Sequence, residues 1–96
     1  MPIYMIVEPK EIMDKEKYKE YTQKVPKIIE KFGGRYLTRN GEVSLIEGNW
    51  KPERLVIIEF ESKDKFETWW NSPEYREIAI MRERSAKVNA IVVEGV

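Results

Sequence analysis

The sequence predicts an α+β fold with the element order βαββαβ, a four-stranded antiparallel sheet carrying its helices on one face. Three observations predict it. Short apolar runs with a β-branched bias stand near the start, in the middle and at the end of the chain, at Ile3–Glu8, Leu55–Phe60 and Val88–Glu94. Between the first two, Tyr18, Tyr21, Val25, Ile28, Ile29 and Phe32 recur at helical spacing. The length of 96 residues is too short for two separately cored units, so residues 1–96 are read as one domain.

Taken in order, the first strand is bounded by Pro2 and Pro9, residues that cannot donate to a sheet ladder. Asp14 is the expected N-cap of the first helix. Pro26 falls inside that helix, where it removes one backbone donor and is expected to kink or split it near Val25. Gly33-Gly34 supplies the left-handed stop. From Arg35 to Glu47 the chain reads as extended, interrupted at Asn40-Gly41. That pair fits either a tight hairpin turn or a bulge within one long bent strand. Gly48–Glu53 reads as a loop with an exposed Trp50, and Leu55–Phe60 is the clearest strand. Ser62 caps a short helix carrying Phe66, Trp69 and Trp70; Ser72-Pro73 interrupts and restarts it, with Pro73 at the tolerated first helical position, and the second piece runs to about Ala86. The result is a ferredoxin-like arrangement with no repeat, linker or low-complexity tract.

Hydrophobic residues at 42% and charged residues at 35% give a globular rather than a disordered composition. Seventeen Lys+Arg balance seventeen Asp+Glu, so the basic excess of a dedicated nucleic-acid binder is missing and no membrane attraction is expected. Without cysteine there is no disulfide framework, thiol nucleophile or cysteine metal site. Without histidine the chain lacks the usual general base, the commonest metal ligand and any serine triad for Ser85. The opening apolar run is too short for a span or a signal, so a cytoplasmic protein without cofactor or metal is expected.

Both faces of three strands are apolar: Ile3/Met5/Val7 against Tyr4/Ile6, Leu55/Ile57 against Val56/Ile58/Phe60, and Ile91/Val93 against Ala90/Val92. Helices cover only one face of such a sheet. The other face calls for a homodimer, formed by the same face of a second chain.

Several motifs then stand out together: Gly33-Gly34-Arg35-Tyr36-Leu37-Thr38-Arg39, the stretch Leu45-Ile46-Glu47-Gly48-Asn49-Trp50-Lys51-Pro52-Glu53-Arg54-Leu55-Val56, and Trp69-Trp70-Asn71-Ser72-Pro73-Glu74-Tyr75. With Val25-Pro26 and the closing Val92-Val93-Glu94-Gly95, they resemble the family called domain of unknown function 1330 (DUF1330) over essentially the whole chain. The resemblance implies a ferredoxin-like domain of the dimeric α/β-barrel superfamily and no established activity. That superfamily includes cofactor-free oxygenases, haem proteins, isomerases and simple ligand binders, so it does not choose a chemistry.

The residues themselves point to a set of arginines and aromatics, Arg35, Arg39, Trp50, Arg54, Tyr75 and Arg82, as the ligand-binding group. Guanidinium groups beside aromatic rings suit a carboxylate, enolate or phenolate. Period-two spacing places Arg35 and Arg39 on one strand face, and helical spacing puts Tyr75, Ile78, Ala79 and Arg82 together, so that Arg82 points toward the sheet. The competing reading makes Arg82 a structural partner of a strand carboxylate such as Glu59 and leaves Arg35 and Arg39 on the surface. Glu59, within an apolar strand, is the one catalytic candidate, as a desolvated general base. One of Trp69 and Trp70 is expected in the core, and the other at a pocket or interface. The expected function is binding of a compact anionic or aromatic small molecule between helices and sheet. The alternative is a cofactor-free oxygenase or isomerase that stabilises an enolate-like intermediate with arginines. An acylphosphatase lacks its Gly-rich anion loop, since Glu8-Pro9-Lys10-Glu11 follows the first strand. An RNA-recognition module lacks its aromatic-basic third strand.

Overall fold

A computed structural model describes residues 1–96. Its elements are β1 (Ile3–Ile12), α1 (Lys15–Lys31), β2 (Arg35–Thr38), β3 (Val56–Phe60), α2 (Lys63–Trp70), α3 (Pro73–Ser85) and β4 (Ala86–Glu94). They form one four-stranded sheet in the order β2-β3-β1-β4, with every neighbouring pair antiparallel. The predicted ferredoxin-like α+β fold is what the chain adopts. No helix is long and apolar enough to cross a membrane.

Each helix starts where a short polar side chain can take a free backbone N–H. Asp14 accepts from Lys17 N at 3.0 Å, Ser62 from Lys65 N at 3.2 Å and Ser72 from Tyr75 N at 3.1 Å. Helix α1 ends in a Schellman motif: Gly33 N donates to Glu30 O at 3.0 Å and Gly34 N to Ile29 O at 2.9 Å. Gly33 carries the required positive φ of 85°. Gly34 is small for another reason, because a Cβ there would meet Phe60 at 2.6 Å and Ile29 at 2.7 Å.

Register sorts the strand residues into two faces. Ile3, Met5, Val56, Ile58 and Phe60 are buried, and the last four pack beneath the helices with Tyr18, Tyr21, Val25, Ile29, Trp69, Tyr75 and Ala79. Of the tryptophan pair, Trp69 is core and Trp70 half-buried. On the opposite face, cross-strand pairing aligns Arg35, Glu59, Tyr4 and Val93 in one row, and Thr38, Ile57, Ile6 and Ile91 in the next. Ile91 is 61% exposed there.

Four local expectations are corrected. Strand β1 does not end at Pro9 but runs on to Ile12, its register against β4 shifting between Pro9 and Glu11. Helix α1 runs unbroken through Pro26. Asn40-Gly41 makes neither hairpin nor strand bulge: β2 ends at Thr38, no residue from 39 to 55 is in a strand, and Gly41 lacks the positive φ that the favoured hairpin turn needs. Arg35 and Arg39 do not share a face. The register shifts between Tyr36 and Thr38, so Leu37 is an extra residue and the alternation restarts beyond it.

Candidate functional site

That bulge builds one corner of the site. Tyr36 pairs with Ile58 and faces the helices, whereas Thr38 pairs with Ile57 on the open face. The restarted alternation returns Arg39 to the helix side, where it lines a cavity between helices and sheet. Its Nη2 donates to the Thr22 carbonyl, and its guanidinium lies 5.0 Å from the Tyr36 ring centroid. Thr22 stands four residues before Pro26 in α1, so its carbonyl is the one for which Pro26 supplies no N–H. The helix-interior proline thus frees an acceptor, and Arg39 takes it.

Arg54 enters from the other end of the loop. Its Nε donates to the Arg39 carbonyl at 3.1 Å, closing the neck of residues 40–53. Arg82 comes from α3, where long side chains lean back toward the helix N-terminus. This brings its guanidinium 5.9 Å from the Trp70 ring centroid, with the Tyr75 and Tyr21 hydroxyls in electrostatic reach. Tyr75, 1% exposed, shares a hydrogen bond of 2.9 Å with the Tyr21 hydroxyl of α1.

The cavity, partly open to solvent, holds about 60 Å³. Met5, Val7, Val56, Ile58, Val88 and Ala90 form its sheet side, and Tyr18, Tyr21, Trp69, Trp70 and Tyr75 supply aromatic walls from the helices. Arg39, Arg54 and Arg82 all line it, and no Asp, Glu, Lys, His or Cys does. None of the three forms an ion pair within 4.0 Å of a carboxylate. The site is therefore apolar in body, rich in donors and uncompensated in positive charge.

The phenols respond to both features. Burial pushes Tyr18 up, while Arg54, Arg82 and Arg39 draw it down in that order. Burial, then Tyr75, pushes Tyr21 far above the ordinary phenol range. Burial raises Tyr36 to about 12 against the pull of Arg39 and Arg54. All three are neutral hydrogen-bonding groups at physiological pH.

Of the residues singled out from sequence, Arg39, Arg54, Tyr75 and Arg82 meet at this cavity, and Arg35, Trp50 and Glu59 do not line it. Arg35 and Glu59 pair with each other on the open face, Nε to Oε1 at 2.7 Å. The partner foreseen for Arg82 is thus taken by Arg35. Trp50, 61% exposed, donates from Nε1 to Glu8 Oε2 at 3.3 Å. Spacing alone marks Tyr18, Tyr21 and Tyr36 as core or strand residues, although three hydroxyls falling among apolar positions signal a polar need there. Arg76, which no sequence motif marks, stacks outside the aromatic wall, 4.6 Å from the Trp70 centroid and 5.0 Å from that of Tyr75.

The model of a domain of unknown function, DUF1330, matches residues 2–96. The chain belongs to the DUF1330 family. Solved structures share the fold of this DUF1330 domain. A protein of unknown function, RPA0582, from Rhodopseudomonas palustris superimposes with a TM-score of 0.77 at 20% identity, over 99% of this chain and 82% of that one. A dimeric ferredoxin-like protein of unknown function from Jannaschia sp. CCS1 gives 0.72 at 11% identity, over 99% of this chain and 100% of that one. SnoaB, a cofactor-independent oxygenase from Streptomyces nogalater, gives 0.64 at 8% identity, over 99% and 91%. At these identities the likeness is one of fold. No curated protein matches the chain in sequence.

Proposed function

We propose that this domain is a small-molecule binding module of the cytoplasm, a homodimer through its open sheet face, that takes a compact anionic or aromatic ligand in the cavity between helices and sheet. One observation carries the reading: three guanidiniums converge on an apolar cavity that contains no carboxylate. A partly desolvated positive charge without a counter-ion is costly, and an anionic ligand removes that cost. Arg39, Arg54, Arg82 and Tyr75 are the binding residues, with Trp70 as a stacking wall. Homodimerisation is supported by the apolar open face and by the dimeric relative from Jannaschia.

A thermal-shift screen of small carboxylates and phenols against the full chain tests the proposal. Members of that set are expected to raise the melting temperature of the wild type and to lose that effect in Arg82→Ala. No response from either protein would remove the anion site.

A cofactor-free oxygenase or isomerase is the second reading, favoured by the fold shared with SnoaB and by donors able to hold an enolate. It needs a base. The cavity lining offers none that is ionised near neutrality, and Glu59 is held by Arg35 on the other side of the sheet. Such a reaction would have to take its base from the substrate, which makes binding the better supported reading.

A further inference from the structure

Resting on the anion-binding reading above, we infer that the ligand is a short-chain carboxylate, seated with its carboxylate at the corner formed by Tyr21, Trp69, Tyr75 and Arg82. An inventory of hydrogens points there. The Tyr21 and Tyr75 hydroxyls share one hydrogen bond, which uses one of their two hydrogens, and the further partner within reach, the Arg82 guanidinium beside Tyr75, can only donate. The second hydroxyl hydrogen is therefore free. Trp69 lines the same cavity with its ring centroid 4.2 Å from that of Tyr75, and its buried indole N–H has no acceptor. Buried donors without partners are rare. Arg82 adds a guanidinium that only donates and that pairs with no carboxylate.

The corner thus offers one spare hydroxyl hydrogen, one indole N–H and a guanidinium, with hydroxyl oxygens as its only acceptors. A carboxylate accepts from all of these and brings no hydrogen of its own. A carboxamide of the same shape places an NH₂ against donors, which the site penalises. Size narrows the class further. The cavity holds about 60 Å³, well below the roughly 150 Å³ of an engineered apolar cavity that accepts benzene. An aromatic body would have to displace the walls or protrude through the open side, whereas a short aliphatic one lies against Met5, Val7, Val56 and Ala90.

Isothermal titration of the full chain with propionate, propionamide and benzoate tests this, using wild type, Tyr21→Phe, Tyr75→Phe, Arg82→Met and, as a control outside the cavity, Arg35→Met. Propionate is expected to bind wild type and Arg35→Met alike and more tightly than benzoate, with propionamide at least about tenfold weaker. Each Tyr→Phe change should weaken propionate by about tenfold and Arg82→Met by about tenfold to a hundredfold, the values for charge-assisted bonds. Circular dichroism melts identify any variant that fails to fold, and the two Tyr→Phe proteins test the corner independently. Equal affinity for propionamide, tighter binding of benzoate, or propionate binding untouched in both folded Tyr→Phe proteins would overturn the inference and leave the anion cavity standing. If the wild type bound neither propionate nor benzoate nor any other anion of the thermal-shift set, the earlier reading would fall and take this one with it.

Discussion

Tyr36 shows at the scale of one side chain how the cavity sets chemistry. Its ring lies beneath the helices, with the Arg39 guanidinium over its face, and burial outweighs the attraction of that charge. The phenol therefore ionises at about 12 in the folded chain, against 10.0 when free. Below the free value both folded and unfolded chains hold the proton, and stability is at its full level. As pH rises from the free to the folded value, the unfolded chain loses its proton first and stability falls. A shift of this size corresponds to about 3 kcal/mol. The urea midpoint is expected to drop between pH 10 and 12, more steeply in wild type than in Tyr36→Phe. Identical slopes would show that Tyr36 ionises as freely in the folded chain as outside it. The arginines show how one inserted residue redirects chemistry: Leu37 separates Arg35, tied to Glu59 on the open face, from Arg39 in the cavity.

Among the elements, the junction of α2 and α3 is where a single side chain sets a wall of the site. Ser72 Oγ donates to the Trp69 carbonyl at 2.8 Å and accepts from Tyr75 N at 3.1 Å, so one buried hydroxyl ends one helix and starts the next. It also fixes the distance between Trp69 and Tyr75. Ser72→Ala leaves the Tyr75 N–H at the helix start without its acceptor, while the Trp69 carbonyl keeps the backbone N–H of residue 72, and should cost about 1–2 kcal/mol in urea unfolding. The loss should be larger than that from Asp14→Ala, whose cap is exposed to water. Equal losses would remove the junction role of Ser72. Helix α1 contributes differently, since its interior proline leaves the Thr22 carbonyl for Arg39 without breaking the helix.

For the whole molecule, the open face is the main unsolved surface. Ile6 and Ile57 lie at its centre, and Ile91 and Val93 extend it to the β4 edge. Ile91 is exposed in the isolated chain, so Ile91→Glu should leave its folding intact while placing a charge in the proposed interface. Sedimentation is expected to show a dimer for the wild type and a monomer for Ile91→Glu, with unchanged circular dichroism. A wild-type monomer, or a variant that remains dimeric, would remove this face as the interface.

Residue type and spacing account for much of this structure without any coordinates. The element order, the caps at Asp14, Ser62 and Ser72, the Gly33-Gly34 stop and the two apolar faces all follow from local rules, because each depends on neighbours within a few positions. The same rules placed Arg82 toward the sheet and put one tryptophan in the core, leaving the other for a pocket or an interface; in the fold both line the cavity. They failed at the second strand. There a bulge moves Arg39 across the sheet, a loop stands at Asn40-Gly41 where a hairpin turn or a bulge in one long strand is expected, and Glu59 pairs with Arg35 instead of Arg82. Whether a strand slips by one residue is decided by what it meets across the sheet, and which charges pair is decided by which side each reaches. Both are contacts between residues distant in sequence, so only the assembled fold could gather Arg39, Arg54 and Arg82 around one cavity.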